Sequence, residues 1–366
     1  MILILKLLLL KLRAIYFFLK LLPTQDKVVF ISRFSDTETL DFQLLRKEIG
    51  KQYPKLKIVS LMKKIPENRL GKILYAFYMF KKMYHLATSK ICIVDSYIIT
   101  VSVLNHKKDL QIIQIWHALG AIKQFGYQVL DKPDGYPTEV ATAMKMHRNY
   151  DYVICSGPGT IPHYEVAFNT PKERILPLGM PRVDYLREQR NVLNEDLVKD
   201  YPVVKEKTNI VYVPTFRKNR ELELEGLISA VDYSKYNLIL KPHPNEPISI
   251  DDDRVILDYT YPSMEWMKYA DYIITDYSAV AFEAMILDKP LLFYLFDYEQ
   301  YKEETGLNID WMQEIPEYSS KDGKKIVEII QSGGYDKKIY TNLRKKYLSA
   351  VENNCTAEIV KLFEIK

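Results

Sequence analysis

The stretch "KVVFISRFSDTETLDFQLLRKEIGKQYPKLKIVSL", residues 27–61, holds a unit that the rest of the chain repeats. "KVVFIS" is a continuous run of β-branched and aromatic residues, the pattern of a strand covered on both faces. "ETLDFQLLRKEIGKQ" then returns apolar residues at helical spacing, and "LKIVSL" is a second continuous strand. Strand, amphipathic helix and strand make the βαβ unit of a parallel sheet.

Outward from this unit the alternation continues through "RLGKILYAFYMFKKMYHLAT", "ICIVD", "LQIIQIW", the helical "TEVATAMKMHRNY", "YVICS", "GTIPHYEVAF" and "RILPLG". A charged stretch without a continuous strand, "LREQRNVLNEDLVKDYPVVKEK", reads as a helical connector. A second series follows: "NIVYVP", "YNLILKP", "RVILD", "DYIITD" and "PLLFYLF". The expectation is an α/β protein with two doubly wound, Rossmann-like domains, residues 23–188 and 189–366, facing a central cleft. The ligand should lie there, outside the carboxyl ends of the strands.

The chain has 366 residues, 48% of them hydrophobic, with only 13 Gly and 18 Pro, which excludes a disordered or collagen-like chain. Its formal charge of +4 hides an asymmetry. Residues 1–150 carry 24 Lys/Arg against 11 Asp/Glu, and the remainder carries 27 against 36. A basic first half suits an anionic partner, whether a membrane surface, a phosphorylated acceptor or nucleic acid. The surplus is scattered among apolar helices without a recognisable nucleic-acid module, so nucleic acid is not expected as a partner. The three cysteines show no metal-ligand spacing, and Cys92 and Cys155 lie in apolar runs, as in a reducing compartment.

Residues 1–22, "MILILKLLLLKLRAIYFFLKLL", are apolar but interrupted by Lys6, Lys11, Arg13 and Lys20. No run reaches the roughly 18 residues of a spanning helix. Lys6, Arg13 and Lys20 recur every seven residues and share one helical face. This suits an amphipathic helix lying in the headgroup layer, hence a peripheral protein on the cytoplasmic face of the cell membrane.

Unusual polar residues cluster immediately after expected strands. Trp116 and His117 follow "QIIQI"; Pro214, Thr215, Phe216 and Arg217 follow "IVYV"; Lys241, Pro242, His243 and Pro244 follow "LIL"; Asp276, Tyr277 and Ser278 follow "YIIT". His243 stands between two prolines that stiffen its loop, so its imidazole can donate to a phosphate oxygen while the Arg217 fork grips another. Asp276 or Ser278 would cap a helix whose first amides, at Ser278, Ala279 and Val280, could cradle a diphosphate. Glu283, inside an otherwise apolar helix, would be a buried carboxylate satisfied by ribose hydroxyls. Trp116 packs or stacks beside the site, and His117 projects where an acceptor hydroxyl arrives. Ala118, Gly120 and Ala121 leave room for that acceptor, and Lys123 reaches phosphate on the same side. No acidic cluster resembles a metal site, and neither metal nor cofactor is expected.

"IWHALGAIKQFGY", "LGMPRVDYL", "YVPTFR", "LKPHP" and "ITDYSAVAFEAMILDKPLLFYLFDYEQY" together resemble the CDP-glycerol glycerophosphotransferase family, the teichoic-acid primases and polymerases. The resemblance runs from about residue 27 to residue 312. It implies a GT-B fold, a CDP-activated polyol-phosphate donor bound mainly by the second domain, and a membrane-bound acceptor at the first. His117 and His243 match the family's two essential histidines, with Arg217, Asp276 and Ser278 on the donor side. The chain departs from the family at "ALGAIK", where Gly-Thr-Pro-Leu-Lys is common, a change on the acceptor side.

The function expected is transfer of glycerol phosphate, or a related polyol phosphate, from a CDP-linked donor to a lipid-linked saccharide or polyol in cell-wall polymer synthesis. His117 would be the base; Arg217, His243 and the amides at Ser278 would neutralise the diphosphate. The alternatives are a GT-B glycosyltransferase using a nucleotide sugar and a non-catalytic, membrane-docked nucleotide-binding protein.

Overall fold

The computed structural model describes residues 2–133, 135–217, 221–243, 248–348 and 354–363. Among these residues the chain forms two six-stranded sheets, every registered pair parallel. The first comprises β1 (Gln25–Ser32), β2 (Lys57–Met62), β3 (Ser89–Val94), β4 (Gln111–Gln114), β5 (Tyr152–Ile154) and β6 (Ile175–Leu176), in the order β2-β1-β3-β4-β5-β6. The second comprises β7 (Thr208–Tyr212), β8 (Tyr236–Leu240), β9 (Val255–Leu257), β10 (Tyr272–Thr275), β11 (Leu291–Tyr294) and β12 (Ser319–Ser320), in the order β12-β11-β10-β7-β8-β9. Counted from β7, this second order is the 3-2-1-4-5-6 arrangement of dinucleotide-binding sheets, and it reverses direction between β7 and β10.

The continuous apolar runs are strands for the reason expected. Val28, Val29, Phe30 and Ile31 of β1 are all buried, so both sheet faces are covered. On α2 (Leu40–Gln52) the residues Phe42, Leu45 and Ile49 fall on one stripe and pack beneath β1, β3 and β4. In the second sheet Ile210, Tyr212, Leu238, Leu240, Ile274 and Leu292 meet Leu227 of the helix Glu225–Ala230 and Ile326, Val327 and Ile330 of the helix Gly323–Gln331.

The chain divides into two compact units. Two segments fall on the other side of the expected division. The helix Cys355–Lys361 belongs to the first unit, not to a domain running from residue 189 to the end. Its Ile359 and Val360, with Phe363, complete the core beneath α2. Asp184 fixes its start: the carboxylate accepts from Cys355 N at 3.0 Å, Thr356 N at 2.8 Å and Thr356 Oγ1 at 2.6 Å. Conversely, Leu119–Lys123 belongs to the second unit, although the residues on either side belong to the first.

The helix expected over residues 138–150 stops at Ala143. Beyond it Lys145, His147 and Asn149 adopt left-handed backbone, with φ of 50°, 59° and 79°. Tertiary capping explains the unwinding: the Asn149 amide donates to the carbonyls of Val101 and Leu104, and Arg148 also donates to Leu104 O.

The N-terminal α1 (Ile2–Leu19) docks by one stripe, with Leu9 and Tyr16 buried and the Tyr16 hydroxyl 2.8 Å from His106 Nδ1. Arg13 donates from Nε to Val103 O, so this cation turns toward its own unit and not outward with Lys6. Leu7, Leu8, Leu10, Phe17 and Phe18 are exposed instead, as are Leu70, Ile73, Leu74 and Phe77 of the neighbouring α3 (Arg69–Thr88). Among the described residues no helix is long and apolar enough to cross a membrane.

Asp184 is buried, and its removal strips acceptors from three buried donors. Asp184→Ala should destabilise the first unit by about 2–3 kcal/mol, read as a lowered urea midpoint by tryptophan fluorescence with Trp116 as the reporter.

Candidate active site

In the second unit the site is organised by the carboxylate of Asp276, at the end of β10, which has no solvent exposure. It accepts from Thr215 N (3.0 Å), Thr215 Oγ1 (2.5 Å), Tyr277 N (2.6 Å) and Arg217 Nη1 (2.7 Å). Thr215 follows β7, so these bonds tie together the two strand ends where the sheet order reverses. Arg217 donates further to Thr215 O (2.6 Å) and, through Nε and Nη2, to both oxygens of Asp297 (3.0 and 3.1 Å). Burial alone would lower the guanidinium pKa, but Asp276 and Asp297 outweigh it and raise it above its ordinary value.

This geometry corrects part of the sequence reading. Arg217, Thr215 and Asp276 are buried and bonded to one another, and they lie beneath the cavity at these strand ends instead of on its wall. Asp276 does not cap the following helix, which runs Val280–Ile286 with Ala279 at its cap and without a side-chain cap bond from Ala279. Ser278 serves there instead, its Oγ accepting from Val280 N at 3.3 Å. Glu283 is half-buried, not enclosed as expected. Lys241 donates to the carbonyl and carboxylate of Asp258 at 2.8 and 3.0 Å.

Above the network a cavity of about 480 Å³ opens at the carboxyl ends of the strands. Its wall includes Pro214, His243 and Ser278, with Tyr259, Thr260 and Ser263 from the loop after β9. His243 is exposed, its ring 5.4 Å from that of Phe216. Pro244, its expected second brace, lies outside the described residues.

In the first unit Trp116 and His117 follow β4 as expected. Trp116 takes left-handed backbone, φ 57°, unusual for a bulky side chain and a strain of about 1–3 kcal/mol. The turn is locked from below: Gln114 Oε1 accepts from Trp116 N at 2.8 Å, while its Nε2 donates to Ser96 O and the Tyr150 hydroxyl. That hydroxyl shares a hydrogen bond with Nδ1 of the buried His147. The Trp116 indole stacks on Phe125 (4.8 Å) and meets Phe168 edge-on (5.1 Å), so it is a packing group.

His117 is thereby turned out to solvent, with Phe34 against its ring at 4.6 Å. Its Nδ1 lies 3.1 Å from the carbonyl of Asp95, which can only accept, so Nδ1 carries the proton and the neutral ring has its lone pair on Nε2. Atoms packed around the ring lower its pKa, to about 4, with the Arg182 and Arg33 guanidiniums adding to the effect and the Asp95 carbonyl opposing it. The ring's exposure screens part of that lowering; its direction, a ring neutral at pH 7, follows from both.

Asp95 itself was missed by the sequence reading. It ends "ICIVD" just as Asp276 ends "DYIITD", a signal available from position alone. It is buried, and desolvation raises its carboxyl to about 6 against hydrogen bonds from Ser32 and Ser96. Lys123, expected beside the acceptor, lies in the second unit, over the ring of Tyr301. Gly120 does not leave room for an acceptor: at its φ of 67° an added Cβ would stand 2.1 Å from the Phe282 ring. A larger cavity, about 670 Å³, opens at the amino ends of the first sheet, opposite His117, where Lys90, Lys108 and Arg174 are interleaved with Asp109 and Asp151. Among the described residues no three His, Cys, Asp or Glu side chains are grouped to hold a metal ion.

The sequence signature described as CDP-Glycerol:Poly(glycerophosphate) glycerophosphotransferase matches residues 14–363. The chain belongs to this family of transferases. It is 35% identical over 327 residues to the teichoic acid ribitol-phosphate primase of Bacillus spizizenii, covering 85% of this chain and 84% of that protein. It is 29% identical to the teichoic acid glycerol-phosphate primase of Bacillus subtilis, covering 82% and 78%. Against the poly(ribitol-phosphate) polymerase of B. spizizenii the match spans 53% of the longer protein. Among solved structures, the wall teichoic acid polymerase TagF superposes with a TM-score of 0.66 at 19% identity, over 93% of this chain and 88% of that one. That likeness gives the fold class: two parallel α/β sheets of the GT-B-like type.

Arg217→Ala would leave two buried carboxylates without their shared cation. The cost should be about 3–5 kcal/mol of stability, seen as a lowered urea midpoint. A phosphate-gripping arginine would instead leave the midpoint in place and raise only the donor concentration required.

Proposed function

We propose that the chain transfers a polyol phosphate, glycerol or ribitol phosphate, from a CDP-linked donor to a hydroxyl of a lipid-linked acceptor, at the cytoplasmic face of the membrane, in synthesis of teichoic acid or a related cell-surface polymer. The acceptor oxygen forms a bond to the polyol-bearing phosphorus as the bond to CMP breaks, and the hydroxyl proton passes to a base. The observation that carries the reading is the cavity at the switch point of a 3-2-1-4-5-6 sheet, with His243 and Ser278 on its wall, in a chain of this family. The second unit takes the donor, and His243 donates to its phosphates. The first unit takes the acceptor, where His117 Nε2, bare at neutral pH, receives the proton.

Incubation with CDP-glycerol, CDP-ribitol and UDP-sugars tests this directly. CMP release that depends on acceptor supports polyol-phosphate transfer; UDP release would make the chain a glycosyltransferase, and tight CDP-polyol binding without turnover a binding protein. In the same assay His117→Ala should slow the chemical step by about 10²–10⁴ while donor affinity stays near wild type. His243→Ala should raise the donor concentration required and slow transfer as well. Because the His117 pKa is lowered, the base form persists as pH falls, and the wild-type acid limb should lie below the ordinary imidazole value of about 6.5. His117→Ala should lack that limb.

Attachment to the membrane is supported by the exposed apolar residues of α1 and α3 and by the basic first half. Phe17 and Phe18 are exposed, so replacing both with Glu spares the packed stripe. The double variant should lose binding to anionic vesicles in a flotation assay yet keep its CDP-glycerol affinity.

A further inference from the structure

Arg217 is bonded to Asp276, Asp297 and Thr215 O, and Lys241, on the cavity wall, to Asp258, so each cation the sequence offered for the donor's charge is already paired with carboxylate inside the protein. Among the described residues, another cation of the second unit stands near the same strand ends. Lys123 arrives on the five-residue strap Leu119–Lys123, which docks on this unit at three points. Ile122 O accepts from Asn308 N (2.7 Å) and Ile309 N (3.2 Å). Lys123 pairs in antiparallel fashion with Leu307, and Asn308 Nδ2 donates to Lys123 O at 3.0 Å. Gly120 lies flat against Phe282, on the helix that follows Ser278.

The strap holds the Lys123 ammonium 5.5 Å from the centroid of Tyr301. Tyr301 is stacked at 3.9 Å on Tyr277, the residue between Asp276 and Ser278, and the Arg217 guanidinium lies over both rings. Lys123 is half-buried, yet among the described residues its Nζ makes neither a hydrogen bond nor an ion pair. We infer that Lys123 is the cation that binds the donor's diphosphate, delivered to the second unit by the strap and seated on the Tyr301 ring.

The alternative within the fold is that Lys123 merely balances the buried triad of Arg217, Asp276 and Asp297, which together carry one net negative charge. Asp276 does favour the charged ammonium. Packing outweighs it, and Arg217 opposes it, so the Lys123 pKa is lowered overall. The cation is under-compensated by its own protein, the state in which an anionic ligand is most strongly favoured. Phosphate oxygens would supply the acceptors that Nζ lacks. The assignment rests on the CDP-donor reading for the identity of the ligand, but not for its chemical class, a diphosphate.

Calorimetric titration of the full chain with inorganic pyrophosphate, cytidine and each CDP-polyol tests it, using Lys123→Met, which keeps the stem over Tyr301, and Lys123→Arg, which restores the charge. Lys123→Met should weaken pyrophosphate and CDP-polyol binding by about 10- to 100-fold and leave cytidine unchanged, and Lys123→Arg should recover much of the loss. An unshifted thermal midpoint in Lys123→Met separates ligand binding from a structural role. Pyrophosphate binding that is absent in wild type, or equal in wild type and Lys123→Met, would overturn the assignment; in the latter case a raised acceptor KM would return Lys123 to the acceptor. Lys123-dependent binding of pyrophosphate without binding of either CDP-polyol would uphold the assignment while sinking the proposed donor.

Discussion

A carboxylate with no access to water is tolerable only if the protein replaces its hydration, and Asp276 is the point on which the second unit turns. Isolated, such a charge costs several kcal/mol. Here two backbone amides, a hydroxyl and a guanidinium surround it. Because those donors come from the segments after β7 and from its own turn after β10, satisfying the charge also fixes the spacing of the two strand ends. Arg217 extends the same demand to Asp297, beyond β11. The wall of the cavity at these strand ends is therefore built on an electrostatic requirement, with Pro214 and Ser278 each next in the chain to a residue that bonds Asp276.

The first unit meets a similar problem with backbone in place of charge. Trp116 is held in a conformation that its side chain disfavours, and Gln114 bonds back to its amide to keep it there. The strain has an effect: the chain reverses within two residues of the strand, so the indole goes into the aromatic cluster and the next side chain, His117, goes outward. The Asp95 carbonyl then selects the tautomer. The ring's lone pair is thereby placed at a defined atom, Nε2, through one hydrogen bond to a neighbouring strand end.

Periodicity made both sheets legible. Uninterrupted β-branched runs such as "VVFI" and "IVYV", set between helical patterns, read as strands covered on both faces, and polar residues just beyond them mark the carboxyl edge. This is why His117, His243 and Ser278 could be placed on loops at that edge. What a polar residue does with its hydrogen bonds was not legible. Arg217 and His243 look equally available in the sequence, yet one is enclosed by carboxylates 59 and 80 residues away and the other lies open at a cavity. The side to which Lys123 belongs was hidden for a related reason, since five residues that pair with Leu307 and Asn308 leave no local pattern. Left-handed backbone at His147 and Asn149 likewise overrode a helical pattern that was sound in isolation.

The return of the helix Cys355–Lys361 to the first unit has a consequence for how the protein is made. A ribosome releases the chain from its amino end, and domains ordinarily fold as they emerge. The second unit, whose described segments end at Leu348, can finish in that order. The first cannot: its underside stays open at α2 until Ile359, Val360 and Phe363 have left the exit tunnel, and Asp184 must wait about 170 residues for the amides it caps. The unit begun first is thus completed last, so an apolar surface is exposed throughout synthesis of the other. That interval is where a chaperone would find something to hold.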